Sequence, residues 1–200
     1  MSTPAPSLPF ADPTPVGLLG LAVGCAALLP VALGISVSPA AFKTAAMLCL
    51  LFGAGCQFLA GVLGLANKNL LGGTLFLTFA FNWVMNGWAL FAIAGGLVPD
   101  HGVILATEAC FLVVFVVLTY AFGFYSRLLF LFMLDIDALY VFKVLAGLTG
   151  TRIFALPIAA LTAMLAFLAL YIAFAILVNP VAGRAIFKVG APVFHPPAAP

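Results

Sequence analysis

The sequence predicts an all-α integral membrane protein, a six-transmembrane-helix bundle with N- and C-termini cytoplasmic. Three observations predict it. Of the 200 residues, 66% are hydrophobic and only 6% are Asp, Glu, Lys or Arg, against about 25% charged residues in soluble domains. The mean hydropathy is +1.33, and a surface so poor in charge does not stay in water. Six apolar runs reach the roughly 20 residues that a helix needs to cross a bilayer. Membrane β-barrel strands are shorter, about ten residues of alternating polarity, whereas these runs are apolar all round. The same numbers exclude nucleic-acid binders, water-facing enzymes and secreted disulfide scaffolds.

Each span ends for a local reason. The first, Val16–Gly34, is followed by Ser36, Ser38 and Pro39; Asp12 is the only charge before it, so it lacks the basic start of a signal peptide and reads as a retained helix. The second, Ala41–Ala66, stops at Asn67, Lys68 and Asn69. The third, Leu70–Gly95, stops at Gly95, Gly96, Pro99 and Asp100. The fourth, Val103–Phe124, stops at Gly123, Ser126 and Arg127. The fifth, Leu128–Leu148, stops at Gly147, Gly150, Thr151 and Arg152, and the sixth is Ile153–Val178. Residues 1–15 form a cytoplasmic tail, 16–178 the membrane domain and 179–200 a second cytoplasmic tail. With the N-terminus inside, the inner loops hold Lys68, Arg127, Arg184 and Lys188. The outer loops hold Lys43 and Arg152, with Asp100 and Glu108, which agrees with the excess of basic residues on cytoplasmic loops.

Polar residues inside the spans are the candidates for chemistry. Thr74, Thr78, Asn82 and Asn86 recur every four residues in the third span and predict one helix face. An amide facing lipid leaves its hydrogen-bonding groups unpaired at a cost of several kcal/mol. The face therefore points at protein, as interhelical glue, or at a solute path. Gln57 is the one amide inside the second span, flanked by Gly53, Gly61 and Gly64. With Gly20 and Gly24 these glycines make small-residue edges that let backbones approach. Asp135, Asp137 and Lys143 lie inside the fifth span. An ionised carboxylate at the bilayer centre costs about 2.5–3.5 kcal/mol or more, so such groups pair, hold a proton or line water. Asp135 and Asp137 are two residues apart and point to different surroundings. Asp135 and Lys143 are too far apart along the helix to pair easily. Cys25, Cys49, Cys56 and Cys110 show no C-x-x-C spacing and read as small buried apolar residues. His101, at a loop, and His195 join no metal-ligand pattern. No metal, cofactor or enzymatic nucleophile–base pair is expected.

Two stretches carry a resemblance. ADPTPVGLLGLAVG, from Ala11, is similar to an N-P-x-P-L-G-L-x-G-F signature, with Asp12 in place of its Asn and Leu21 in place of its Phe. Gln57, Ala60, Gly61, Asn69, Gly72, Thr74, Phe76 and Trp83 match a second segment without a gap. Tyr171, Asn179, Gly183 and Arg184 fit the end of the last helix. The chain resembles the acetate/succinate uptake transporter family, the bacterial succinate–acetate permeases and fungal acetate transporters. The resemblance implies six helices per subunit, a homo-hexamer in the cell (inner) membrane, one solute path in each subunit and usually proton coupling. By motif position it implies a hydrophobic constriction at Leu21, Phe79 and Ile136. The sequence departs from the pattern where Gly64 and Pro180 replace acidic residues. Asp135 and Asp137 replace Ser and Thr on either side of Ile136.

The function expected is passage of acetate or another small monocarboxylate, possible as proton symport or as a channel. The substrate path holds Gln57, Thr78, Asn82 and Asn86, and Asp135 and Asp137 are candidates for proton handling. Apolar gate residues suit the acetate methyl; amides and hydroxyls suit its carboxylate. Two carboxylates beside the path repel an anion unless one holds a proton. They leave open a passive channel for a small neutral or cationic solute. The further alternative is a structural membrane subunit that transports nothing.

Overall fold

In the computed structural model, which describes residues 9–195, the chain folds as six long helices. They are α1 Thr14–Ala32, α2 Pro39–Ala66, α3 Leu70–Ala94, α4 His101–Phe122, α5 Arg127–Thr149 and α6 Ala155–Ala182. A single 3-10 turn, Arg152–Phe154, leads into α6. No strand occurs among the described residues. The predicted tails at residues 1–8 and 196–200 lie outside the described residues.

The loop residues that ended the predicted spans cap the helices. Ser38 accepts from the Ala41 amide, Asn69 from Gly72, Asp100 from Val103 and Ser126 from Leu129. Each satisfies one of the free N–H groups at a helix start. Gly150 and Gly183, at φ 64° and 63°, end α5 and α6 in the left-handed conformation that glycine adopts without a Cβ clash. Five helices are long and apolar enough to cross a membrane. The remaining one, α5, has the length but carries Asp135, Asp137 and Lys143. Val103, Val113, Val117, Leu156 and Phe167 stand exposed on the bundle's outside, an apolar exterior that fits lipid.

The central helix is α1, packed against α6 on one side and α2 on the other, with α5 beside α6 and α4 beside α5. Contact between α3 and α4 is slight. Within α2, Cys49–Cys56 is π-helical, a register that sequence patterning did not anticipate. Each π turn bonds i to i+5 and rotates the face presented by the rest of the helix. This segment is where α1 and α2 come closest. A Cβ on Gly20 would meet the Phe52 carbonyl oxygen at 2.5 Å, and one on Gly53 would meet the Trp83 ring at 2.5 Å. A Cβ on Gly24 would touch the same ring at 3.0 Å, and one on Gly61 would meet Leu77 at 2.6 Å. Gly20, Gly24, Gly53 and Gly61, the small-residue edges of the sequence, thus let helices of the same chain approach closely.

The first and last described segments, around Phe10 and Phe194, meet loops at one end of the bundle, here the terminal end; the opposite is the far end. Phe10 and Asn67 exchange two hydrogen bonds, at 3.1 Å each. After α6 the chain turns back across the α4–α5 connection. The Arg127 amide donates to the Ala191 carbonyl at 2.8 Å, Leu128 to Val189 at 3.0 Å, and Val193 and Phe194 to Gly123 at 2.8 and 3.0 Å. Asn179 holds the turn: its Oδ1 accepts from the Ile186 and Phe187 amides and its Nδ2 donates to the Phe187 carbonyl. The Phe194 ring lies against Tyr120, Phe124 and Phe130.

Candidate functional site

Two cavities enter the bundle from opposite ends. The terminal-end cavity, about 340 Å³, is walled mainly by Leu18, Leu75, Phe76, Phe132, Ile172 and, from the folded tail, Val189. The far-end cavity, about 200 Å³, is lined by Cys25, Phe79, Asn82, Trp83, Asn86 and Lys143, with Tyr140, Leu139 and Leu165 beside them. Four helices contribute to both cavities seven residues apart: Leu18 and Cys25 on α1, Phe76 and Trp83 on α3, Phe132 and Leu139 on α5, Ile172 and Leu165 on α6. Seven residues are two turns, or about 10 Å along a helix. Midway stand Leu21, Ile136 and Ala169, each 0% exposed, with Phe79 at 4%. Phe79 stacks on the fully buried Phe115, ring centroids 4.6 Å apart. The apolar residues implied by the motifs, Leu21, Phe79 and Ile136, are all buried in the same apolar core. Ala169 and Phe115 belong to it as well. Neither carried a sequence signal, because an alanine or a phenylalanine in an apolar span looks like every other packing residue.

The predicted polar stripe divides. Asn82 and Asn86 line the far-end cavity; Thr78 is half-buried and Thr74 exposed, and neither lines a cavity. A four-residue step advances 400° around a helix, a drift of about 40° each time and about 120° from Thr74 to Asn86. Asn86 Nδ2 donates to the Asn82 carbonyl at 2.9 Å and to Asn82 Oδ1 at 3.0 Å. This leaves Asn82 Nδ2 without a partner, and Trp83 Nε1 also has none. The Tyr140 side chain lies beside Asn82 but makes no well-formed bond to its Nδ2; two buried donors left open on side chains lining one cavity are what a solute or water would satisfy. Gln57 is 1% exposed with a partnerless Oε1 and lines neither cavity.

The charged residues are arranged differently from expectation. Glu108, read as an outer-loop charge, lies seven residues inside α4 and is buried. Its Oε1 is 2.7 Å from Lys143 Nζ, the one ion pair among the described residues. Lys143 also lies over the Tyr140 ring, 4.8 Å from its centroid, within the range of a cation–π contact. The pair required α4 and α5 to be set side by side at matching depth, which hydropathy does not report. His101 begins α4, and its Nε2 lies 2.8 Å from the Gly147 carbonyl. Asp135 and Asp137 do face different surroundings. Asp135 lies near Cys25 of α1, with Oδ2 unpartnered, and Asp137 lies beside Thr119 of α4, with Oδ1 unpartnered. Neither lines either cavity. All four cysteines are free, and Cys110, expected inside, is exposed on α4. No cluster of three metal-ligating side chains occurs among the described residues.

No protein-family model and no curated protein matches the sequence. Among solved structures, the chain is similar to one described as the structure of the bacterial acetate channel SatP. The TM-score is 0.82 at 18% identity, over 90% of this chain and 99% of that one. Helix order, length and packing thus agree almost end to end, and the chain has the fold of that channel.

Proposed function

We propose that the chain passes acetate or another small monocarboxylate across the cell (inner) membrane, by a route through each subunit from one cavity to the other. The observation that carries this reading is the far-end cavity. It presents hydrogen-bond donors without partners, Asn82 Nδ2 and Trp83 Nε1, next to the Lys143 ammonium, and backs onto the buried apolar core. Donors and a cation suit a carboxylate; Leu21, Phe79 and Ile136 suit a methyl group and exclude bulk water. Asp135 and Asp137 are not at the cavity walls, so the feature that would favour a cationic solute is missing where the solute would sit. Gln57 and Thr78 lie outside both cavities in this conformation and join the path only when the bundle rearranges.

The terminal end carries Lys68, Arg127, Arg184 and Lys188 against Lys43 and Arg152 at the far end, which supports cytoplasmic termini. Proton coupling would run through Asp135, whose neighbour Cys25 lines the far-end cavity. The hexamer rests on the resemblance to the transporter family; a monomer by detergent-corrected mass, repeated in nanodiscs, would remove it. The test of function is uptake of labelled acetate into proteoliposomes against urea, glycerol and ammonium. Acetate should enter and the others lag. Equal uptake of all four, or none of acetate, would overturn the reading.

A further inference from the structure

The Lys143–Glu108 pair is in an unusual place for a structural ion pair. This one stands where two spaces meet. Lys143 and Asn86 line the far-end cavity, and both also line a side cleft of about 320 Å³ between α3 and α4, with Glu108, His101 and Pro99. The side chains of Lys143 and Glu108 are 20% and 12% exposed. An ammonium has three protons to donate, and one carboxylate contact with one ring face leaves donors for a second anion.

We infer that Glu108 limits the far-end cavity to solutes carrying a single negative charge, acting as a positioning residue through Lys143. The inference rests on the carboxylate reading above and adds a charge rule to it. Lys143 is the only basic residue lining the cavity, and Glu108 already balances it. The pair adds no net charge to that wall. A monocarboxylate shares Lys143 with Glu108 and takes its remaining bonds from Asn82 and Trp83. A dicarboxylate brings a second charge against the same single cation, and repulsion between like charges grows steeply where water is scarce. The other charged groups do not change the count. Asp135 lies behind the cavity wall, near Cys25, and supplies no second cation. His101 faces the cleft, with Nε2 engaged by the Gly147 carbonyl.

The test uses the full chain in proteoliposomes, at a pH where succinate is doubly ionised and monomethyl succinate singly. The unsubstituted protein should pass acetate and monomethyl succinate and hold back succinate. Glu108→Gln should raise the succinate-to-acetate flux ratio at least about tenfold, and Glu108→Asp should keep the parent ratio. A structural role alone would change yield and leave the ratio alone. An unchanged ratio in Glu108→Gln overturns the inference and leaves the acetate function standing. So does exclusion of monomethyl succinate together with succinate, which would make size the limit, or free passage of succinate by the parent. The monomethyl succinate comparison decides the matter on the unsubstituted chain even if Glu108→Gln fails to fold. A parent that passes no acetate overturns the function and this inference together.

Discussion

At the terminal end of the bundle, polar side chains are spent on the protein itself; at the far end, several are not. Asn67, Asn69, Ser126 and Asn179 each bond to backbone groups of neighbouring turns or of the folded tail. The cavity there is walled mostly by Leu, Phe and Ile. At the far end, Asn82 Nδ2 and Trp83 Nε1 are buried without partners, and Lys143 lines the cavity. A buried donor left unmade costs about 1–3 kcal/mol. Gln57 Oε1 is partnerless too but borders neither cavity; open donors on side chains that line a cavity mark the far end as the place where something else supplies the acceptor. The same residue type is therefore structural or functional according to which end it occupies.

Replacing one asparagine at each end should separate the two roles. Asn82→Leu removes the open donor, and acetate flux should fall by about tenfold or more, the scale of one lost buried hydrogen bond. Thermal stability should not fall in proportion, because an unsatisfied buried amide leaves with it. Flux and melting measured on the same preparation check this; a parallel loss of both would make Asn82 structural. Asn179→Leu breaks the three bonds that hold the turn into the returning tail and should lower stability by about 1–3 kcal/mol, with flux per folded molecule nearly unchanged. Proteolysis of the tail should quicken as well. A flux loss without a stability loss would move the terminal end into the functional class.

The two carboxylates of α5 sharpen the comparison further. Asp135→Asn, on the side of the far-end cavity, should shift or flatten the dependence of acetate flux on pH. Asp137→Asn, beside Thr119 on the α4 side, should reduce yield or assembly and leave the pH profile in place. Identical profiles and yields for both variants and the parent would end the case for proton handling here. The smallest effect is expected at Gly24. A Cβ there touches Trp83 at 3.0 Å, so Gly24→Ala need move the ring only slightly, costing about 1 kcal/mol. Acetate affinity should change by a few-fold as Trp83 Nε1 shifts. No change in affinity with a normal melting point would show that the indole N–H takes no part.

Much of the fold was legible because membrane helices are set by local rules. A run of apolar residues spans, and Asn, Ser, Asp, Gly and Pro start and stop it wherever they sit in space. The predicted spans agree with the observed helices to within a few residues except at the C-terminal end of α6, where Pro180 continues the helix to Ala182. The exposed side of Cys110 and the inward place of Glu108 were not legible, since both lie on α4 and apolarity all round that helix hides which face packs. The polar stripe misled for a related reason: sequence spacing gives rotation about one helix, and only the neighbouring helices decide which angle faces a cavity.

The sequence by itself determined the solvent of this protein, the number and limits of its helices, and the residue types available for a carboxylate path, since each is set by hydropathy and capping within a few turns. Only the tertiary structure decided which of those residues meet. The π-helical stretch of α2 forms where Gly20 and Gly53 let α1 and Trp83 press close. Leu21, Phe79 and Ile136, on three different helices, join one buried core only when α1, α3 and α5 pack together. Lys143 finds Glu108, not an aspartate of its own helix, because side chains on adjacent helices at equal depth lie nearer than residues two turns apart on one.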